Sequence, residues 1–307
     1  MVKIKAAGHA LGEEVITNFD LEKIMDTSDE WIFTRTGIKQ RHFTKGSAID
    51  LAIKAVEDLQ SKYPSQKLDD IDLIVFATMT QDSAMPSQAS KIQKHFNIKN
   101  SVAFDLAAAC SGFVFSLEQA LNSFKANPEK YKKALIIGCD KMSKTLDVND
   151  RGTYVLFGDG AGAIIIEQSP NTKYVLNSNS IIDTKDSLTL DYNTQAIQMK
   201  GQEVYKFAVT KINAMIKHAS EEMGSDFDLF VPHQANLRMI ESVASRLKVD
   251  QSKFLMNIEN VANTSAASIP IVLSENIKNF KKGQKILMFG FGGGLTYGYF
   301  GLEWDEE

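Results

Sequence analysis

The chain has 307 residues, 44% hydrophobic and 23% charged, which is enough apolar content for a full-size core and argues against a disordered chain. A formal net charge of −4 and a pI near 5.8 exclude a chain-wide nucleic-acid footprint and leave room only for a local basic patch. Two cysteines fit a reducing compartment; no signal-peptide core or membrane-length apolar run is present, so the cytosol is expected and membrane association is not.

In chain order, short β-rich apolar runs alternate with amphipathic helical patterns, which predicts an α/β fold. IDLIVFATM (71–79) reads as a strand. SVAFDL reads as a second, turning at AAAC into a helix whose Phe113, Leu117 and Leu121 recur at i, i+4 and i+8, with a stop near Pro128. KKALIIGCD (132–140) is the next strand, and FGDGAGA (157–163) precedes another, AIIIE. Residues 171–199 lack a clear period and read as a hairpin-rich insertion or loop. The strand in FDLFVPHQ (227–234) leads into a helix with Leu237, Ile240, Val243, Ala244 and Leu247 on one face. In NTSAAS, Asn263, Thr264 and Ser265 are good N-cap residues for a further helix, and GQKILMFGFGG (283–293) closes the series as a strand. IDLIVFATM resembles FDLFVPHQ, and KKALIIGCD resembles GQKILMFGFGG, the two strands within each half lying roughly 60 residues apart. This self-similarity predicts two pseudo-duplicated halves, 1–168 and 169–307.

Cys110 therefore stands where a strand becomes a helix. A helix N-terminus and a nearby imidazole lower a thiol pKa, which suits a nucleophile, whereas a lone cysteine among alanines also reads as core filler. Cys139, inside ALIIGC, reads as core. His233 sits at a second strand-to-helix junction and Asn263 at a third. The glycines of GFGGGLTYG (290–298) can aim backbone N–H groups at an oxyanion, although glycines after a strand are also an ordinary turn. The five histidines show no metal-ligand spacing, and no metal is expected.

Together, TSDEWIFTRTGIKQRH (27–42), FDLAAACSGF (104–113), DRGTYVLFGDGAGA (150–163), VPHQANLR (231–238), NTSAAS (263–268) and FGGGLTYG (291–298) resemble, in order and across nearly the whole chain, the type III β-ketoacyl-[acyl carrier protein] synthases of the thiolase superfamily. The resemblance implies a five-layered thiolase-like fold and a Cys110, His233, Asn263 triad. It implies that Cys110 takes an acyl group from acyl-CoA. His233 and Asn263 then hydrogen-bond the thioester oxygen of malonyl-acyl carrier protein while it decarboxylates and condenses, to start fatty-acid biosynthesis. It also implies an oxyanion hole from the N–H groups of Cys110 and Gly293, CoA contacts from Thr27, Trp31, Arg35 and Arg151, and carrier-protein or phosphate contacts from Lys206 and Arg238. Met85, Met199 and Phe291 are implied for the acyl pocket. A homodimer is implied, and no cofactor beyond the CoA thioester substrate.

Two positions depart from the family pattern. Ala262 stands where glycine is common before NTSAAS, and Met85 where an aromatic residue often closes the pocket across a dimer interface. A specialised condensing enzyme of secondary metabolism and a catalytically silent binding paralogue are the competing readings; the intact Cys110, His233 and Asn263 argue against the second.

Overall fold

The computed structural model describes residues 2–191 and 195–305. Its first sheet has five strands, β1 (Val2–Leu11), β2 (Leu73–Ala77), β3 (Val102–Leu106), β4 (Lys133–Lys141) and β5 (Asp159–Gln168), in the order β1-β5-β4-β2-β3. The second has four, β6 (Tyr174–Ser180), β7 (Leu229–Pro232), β8 (Lys285–Gly292) and β9 (Thr296–Glu303), in the order β7-β8-β9-β6. The strand pairs expected from self-similarity occupy matching places: β2 runs parallel to β4 with Leu73 opposite Ala134, and β7 parallel to β8 with Leu229 opposite Ile286. In each sheet an antiparallel strand follows, β5 beside β4 and β9 beside β8. The run β1-β5-β4-β2 is thus repeated as β6-β9-β8-β7, and β3 is extra.

Among the described residues, five helices of nine or more residues complete the layers: α1 (Ala48–Lys62), α2 (Gly112–Ala126), α3 (Gly201–Met223), α4 (Leu237–Leu247) and α5 (Ser268–Asn276). Helix α1 covers the outer face of the first sheet, α2 and α5 lie between the sheets, and α3 with α4 covers the second. The result is the five-layered α/β architecture expected. The middle layer forms because α2 has a wide apolar face: Phe113, Val114, Leu117, Leu121 and Phe124 are buried against both sheets. Each such side chain contributes about 1.5–3 kcal/mol of burial. Helix α1 needs only one apolar face and buries Leu51, Ala55, Val56 and Leu59, with Ser47 and Asp50 forming a capping box at its start.

Three local expectations change. DGAGA does not precede its strand but forms the start of β5, because α5 packs directly on it: a Cβ at Gly162 would lie 2.8 Å from Ile271 N. Residues 174–180 are not loop; they form β6 and pair with β9 from Tyr174 opposite Leu302 to Ser180 opposite Thr296. The remainder of that segment holds a hairpin, Leu188–Leu190 with Ile197–Met199, and residues 192–194 lie outside the described set. Finally, α5 has no side-chain N-cap; Asn263 Oδ1 instead accepts from Ser265 N at 2.9 Å, one turn earlier.

Candidate active site

Two short 3₁₀ turns meet between the sheets, Ala109–Ser111 leading into α2 and Ser265–Ala267 leading into α5. Each opens on a residue in the left-handed region, Ala109 with φ 49° and Ser265 with φ 53°. Such a residue turns the chain sharply from strand direction to helix direction. The first turn carries Cys110; the second is preceded by Asn263. His233 follows β7 directly, fixed by its own N–H donating to Phe289 O at 2.8 Å. The three side chains line one cavity of about 820 Å³, together with Trp31, Arg35, Met199, Lys206, Arg238, Phe291 and Gly293.

Each group at the centre is held by a specific partner. Asn263 is clamped by backbone bonds, its N–H donating to Leu156 O and its carbonyl accepting from Gly158 N, both at 3.0 Å. Because Oδ1 accepts from Ser265 N, the amide NH₂ is the end left for the cavity. The His233 ring packs edge-on against Phe291, centroids 5.5 Å apart, and its Nδ1 lies 2.6 Å from Ser268 Oγ. Gly292 brings β8 against the nucleophile: a Cβ there would lie 2.8 Å from Cys110 N.

Electrostatically Cys110 and His233 are both uncharged at rest. Burial pushes the Cys110 thiol up to about 12, offset only in part by the Ser265 hydroxyl. The direction differs from the lowering expected at a helix N-terminus, because burial removes the water that would solvate the thiolate. Burial likewise pushes His233 down to about 3, so its ring is an uncharged imidazole at pH 7.

Asp140 was not anticipated from the sequence, although a carboxylate directly after the buried run ALIIGC was the available signal. Fully buried at the end of β4, it accepts from Thr78 Oγ1 (3.1 Å), Met79 N (2.8 Å), Thr80 Oγ1 (3.0 Å) and Ala266 N (3.3 Å). It thereby ties the end of β2 to the turn that follows Asn263. Burial raises its pKa, and the donated hydrogen bonds oppose that rise. Ser268 was read only as part of a helix start and proves to be the partner of His233.

The remaining expected contacts divide. The guanidinium carbons of Arg35 and Arg151 lie 4.5 and 4.6 Å from the Trp31 ring centroid, so the indole is covered by two cations and one must shift for an adenine to stack. Arg151 reaches the cavity only through that ring, and Thr27 stays off the cavity wall with its Oγ1 buried. Lys206 and Arg238 share the cavity, Arg238 on the exposed face of α4. Met85, 88% exposed on the loop after β2, does not line the cavity of its own chain, and its expected place is across a dimer interface. Ala262 has φ 62° and ψ −162°, a region that glycine favours, so the departure at this position leaves a strained backbone.

Comparison with known proteins agrees with this geometry. Residues 104–184 match the family model described as 3-oxoacyl-[acyl-carrier-protein (ACP)] synthase III, and residues 218–304 match its C-terminal model. The chain is 43% identical over 312 residues to the β-ketoacyl-[acyl-carrier-protein] synthase III 1 of Bacillus anthracis, covering 99% of each chain. It is 45% identical over 308 residues to the β-ketoacyl-[acyl-carrier-protein] synthase III of Acholeplasma laidlawii, covering 97% of this chain and 96% of that one. The crystal structure of 3-oxoacyl-[acyl-carrier-protein] synthase III from Aquifex aeolicus superposes with a TM-score of 0.94 at 39% identity, over 99% of this chain and 100% of that one. Two matched family models, full-length relatives and the shared thiolase fold establish that the chain belongs to the 3-oxoacyl-[acyl-carrier-protein] synthase III family of condensing acyltransferases.

Proposed function

We propose that this condensing enzyme, which initiates fatty-acid synthesis, works through Cys110, His233 and Asn263 on an acyl-CoA primer and malonyl-acyl carrier protein. The observation that carries this reading is the convergence of those three side chains, from three separate segments of the chain, on one cavity. The Cys110 sulfur attacks the primer thioester, the carbon–sulfur bond to CoA breaks, and the thiol proton ends on the departing CoA sulfur. Because burial disfavours a free thiolate, charge develops at the sulfur only during attack, at the positive end of α2. The N–H groups of Cys110 and Gly293 take the tetrahedral oxyanion; in comparable sites one such donor is worth about 3–4 kcal/mol.

In the second half-reaction His233 and the Asn263 amide donate to the malonyl thioester oxygen. Carbon dioxide leaves, the enolate carbon attacks the acyl group on Cys110, and the released sulfur regains a proton from solvent. Trp31, Arg35 and Arg151 hold CoA, with Thr27 behind them. Lys206 and Arg238 meet its phosphates or the acidic carrier protein, and Met199 and Phe291 bound the acyl group. No step uses a metal or a redox cofactor. Met85, exposed on its own chain, serves the pocket of a second copy in a cytosolic homodimer.

Incubation with a panel of short straight and branched acyl-CoAs, followed by intact-mass measurement, tests this. One acyl adduct is expected, absent from Cys110→Ala. Adduct formation by Cys110→Ala, or none with any primer on the wild type, overturns the covalent step. His233→Ala and Asn263→Ala should keep acyl transfer better than malonyl decarboxylation.

A further inference from the structure

The structure assigns Ser268 a role in the second half-reaction: its hydroxyl donates to His233 Nδ1 and thereby holds the ring as the tautomer with its proton on Nε2, toward the cavity. This inference rests on the proposed function of His233 and adds how that residue is made a donor. An imidazole without charge offers one N–H, and which nitrogen carries it is set by the partner of the other. A hydrogen-bond donor for the thioester oxygen therefore requires that Nδ1 accept.

Three contacts meet at Ser268 Oγ: His233 Nδ1 at 2.6 Å, Ser265 O at 3.0 Å and Gln234 N at 3.4 Å. The Gln234 N–H can only donate, so it occupies an acceptor lone pair of the hydroxyl. The single hydroxyl proton then has two acceptors to choose between. Ser265 O already accepts the backbone N–H of Ser268, so turning the hydroxyl away leaves that carbonyl paired. The contact to Nδ1 is the shorter, and its length suits an O–H donor better than an N–H donor, whose bonds run near 2.9–3.0 Å. Among the described residues no other side chain is hydrogen-bonded to His233. Burial, by keeping the ring uncharged, makes the tautomer the deciding variable, since an imidazolium would donate from both nitrogens whatever Ser268 did.

Ser268 is thus a positioning residue. It touches no reacting atom, and lies 2% exposed at the first position of α5, one turn beyond the residue that Asn263 caps. Both donors of the decarboxylation site are consequently oriented from the same turn: Asn263 by the Ser265 N–H, His233 by the Ser268 hydroxyl.

The test uses full-length protein with ¹⁵N-labelled histidine at pH 7, with the His233 signals assigned by their loss in His233→Ala. Wild type should show a protonated Nε2 and an unprotonated Nδ1. Ser268→Ala should shift that balance and lower malonyl decarboxylation at least about tenfold more than acyl transfer to Cys110, the size expected for one hydrogen bond to a catalytic group. Ser268→Thr, which keeps the hydroxyl, should restore both. A wild-type spectrum with the proton on Nδ1 overturns the assignment without any variant having to fold. So does a Ser268→Ala protein that loses both half-reactions equally with its tautomer unchanged, which is the signature of a packing role. Failure of the proposed function is separate: it appears as a wild-type enzyme without acyl adduct or condensation, whichever tautomer the spectrum shows.

Discussion

Replacing Gly138 by alanine probes the alignment of the site from a position that touches no substrate. Gly138 lies in β4, and a Cβ there would sit 2.2 Å from Ala266 O and 2.8 Å from Ala266 C, backbone atoms of the turn that follows Asn263. Ordinary van der Waals contact begins near 3.4 Å, so either β4 or that turn must move by about 1 Å. The turn is also held by Asp140 through Ala266 N and by Asn263 through Ser265 N, and both bonds lengthen if it yields. Overpacking of this kind costs about 1–3 kcal/mol, and a 1 Å misplacement of catalytic groups about a hundredfold in rate. Urea unfolding should show the stability loss. Single-turnover assays should show malonyl decarboxylation falling well below acyl transfer, because the moved turn carries Asn263 and Ser268 but not Cys110. A Gly138→Ala protein with wild-type stability and turnover would refute the reasoning, and equal loss of both half-reactions would place the displacement at Cys110 instead.

Three further outcomes are expected. His233, held near 3 in the fold against an ordinary value of 6.5, binds its proton more readily when unfolded. Its contribution to stability is therefore complete above 6.5 and is lost at about 1.4 kcal/mol per unit as pH falls from 6.5 toward 3; a His233→Asn variant with the same pH slope in urea unfolding would contradict this. Ala262→Gly should raise stability by up to about 1 kcal/mol, the relief of left-handed strain exceeding the lost methyl contact and the added freedom of the unfolded chain; a lower urea midpoint would mean that the methyl packing dominates. Trp31→Ala should raise KM for acyl-CoA about tenfold while leaving an acyl-pantetheine primer unaffected, in line with the value of stacking on one base; equal effects on both primers would remove Trp31 from nucleotide binding.

Sequence patterns were sufficient where a residue's role depends on its neighbours along the chain. The apolar alternations gave β2, β4, β7 and β8, the i, i+4 stripe gave α2, and the strand-to-helix junctions located Cys110 and His233. They failed where the role depends on another segment crossing nearby. DGAGA reads as the lead-in to its strand until α5 is seen lying on Gly162, and Asp140 reads as a strand end until Ala266 N is seen reaching it. Residues 174–180 look irregular because β6 pairs on one side only, with β9, and so carries a weak apolar alternation. The direction of the Cys110 pKa was misjudged for a related reason: a helix terminus is visible in the sequence, whereas the depth of burial around it is not.

The two matched turns, each opened by a left-handed residue, place the nucleophile and the donors on opposite sides of a seam. Cys110 leads into α2, while Asn263 and Ser268 flank the turn that leads into α5 and that Asp140 ties to the first sheet. Gly138 faces the second turn and Gly292 the first: a Cβ would lie 2.2 Å from Ala266 O at the one and 2.8 Å from Cys110 N at the other. Reaction geometry in this enzyme is therefore a matter of registration between layers, set by the thickness of the glycines that separate them.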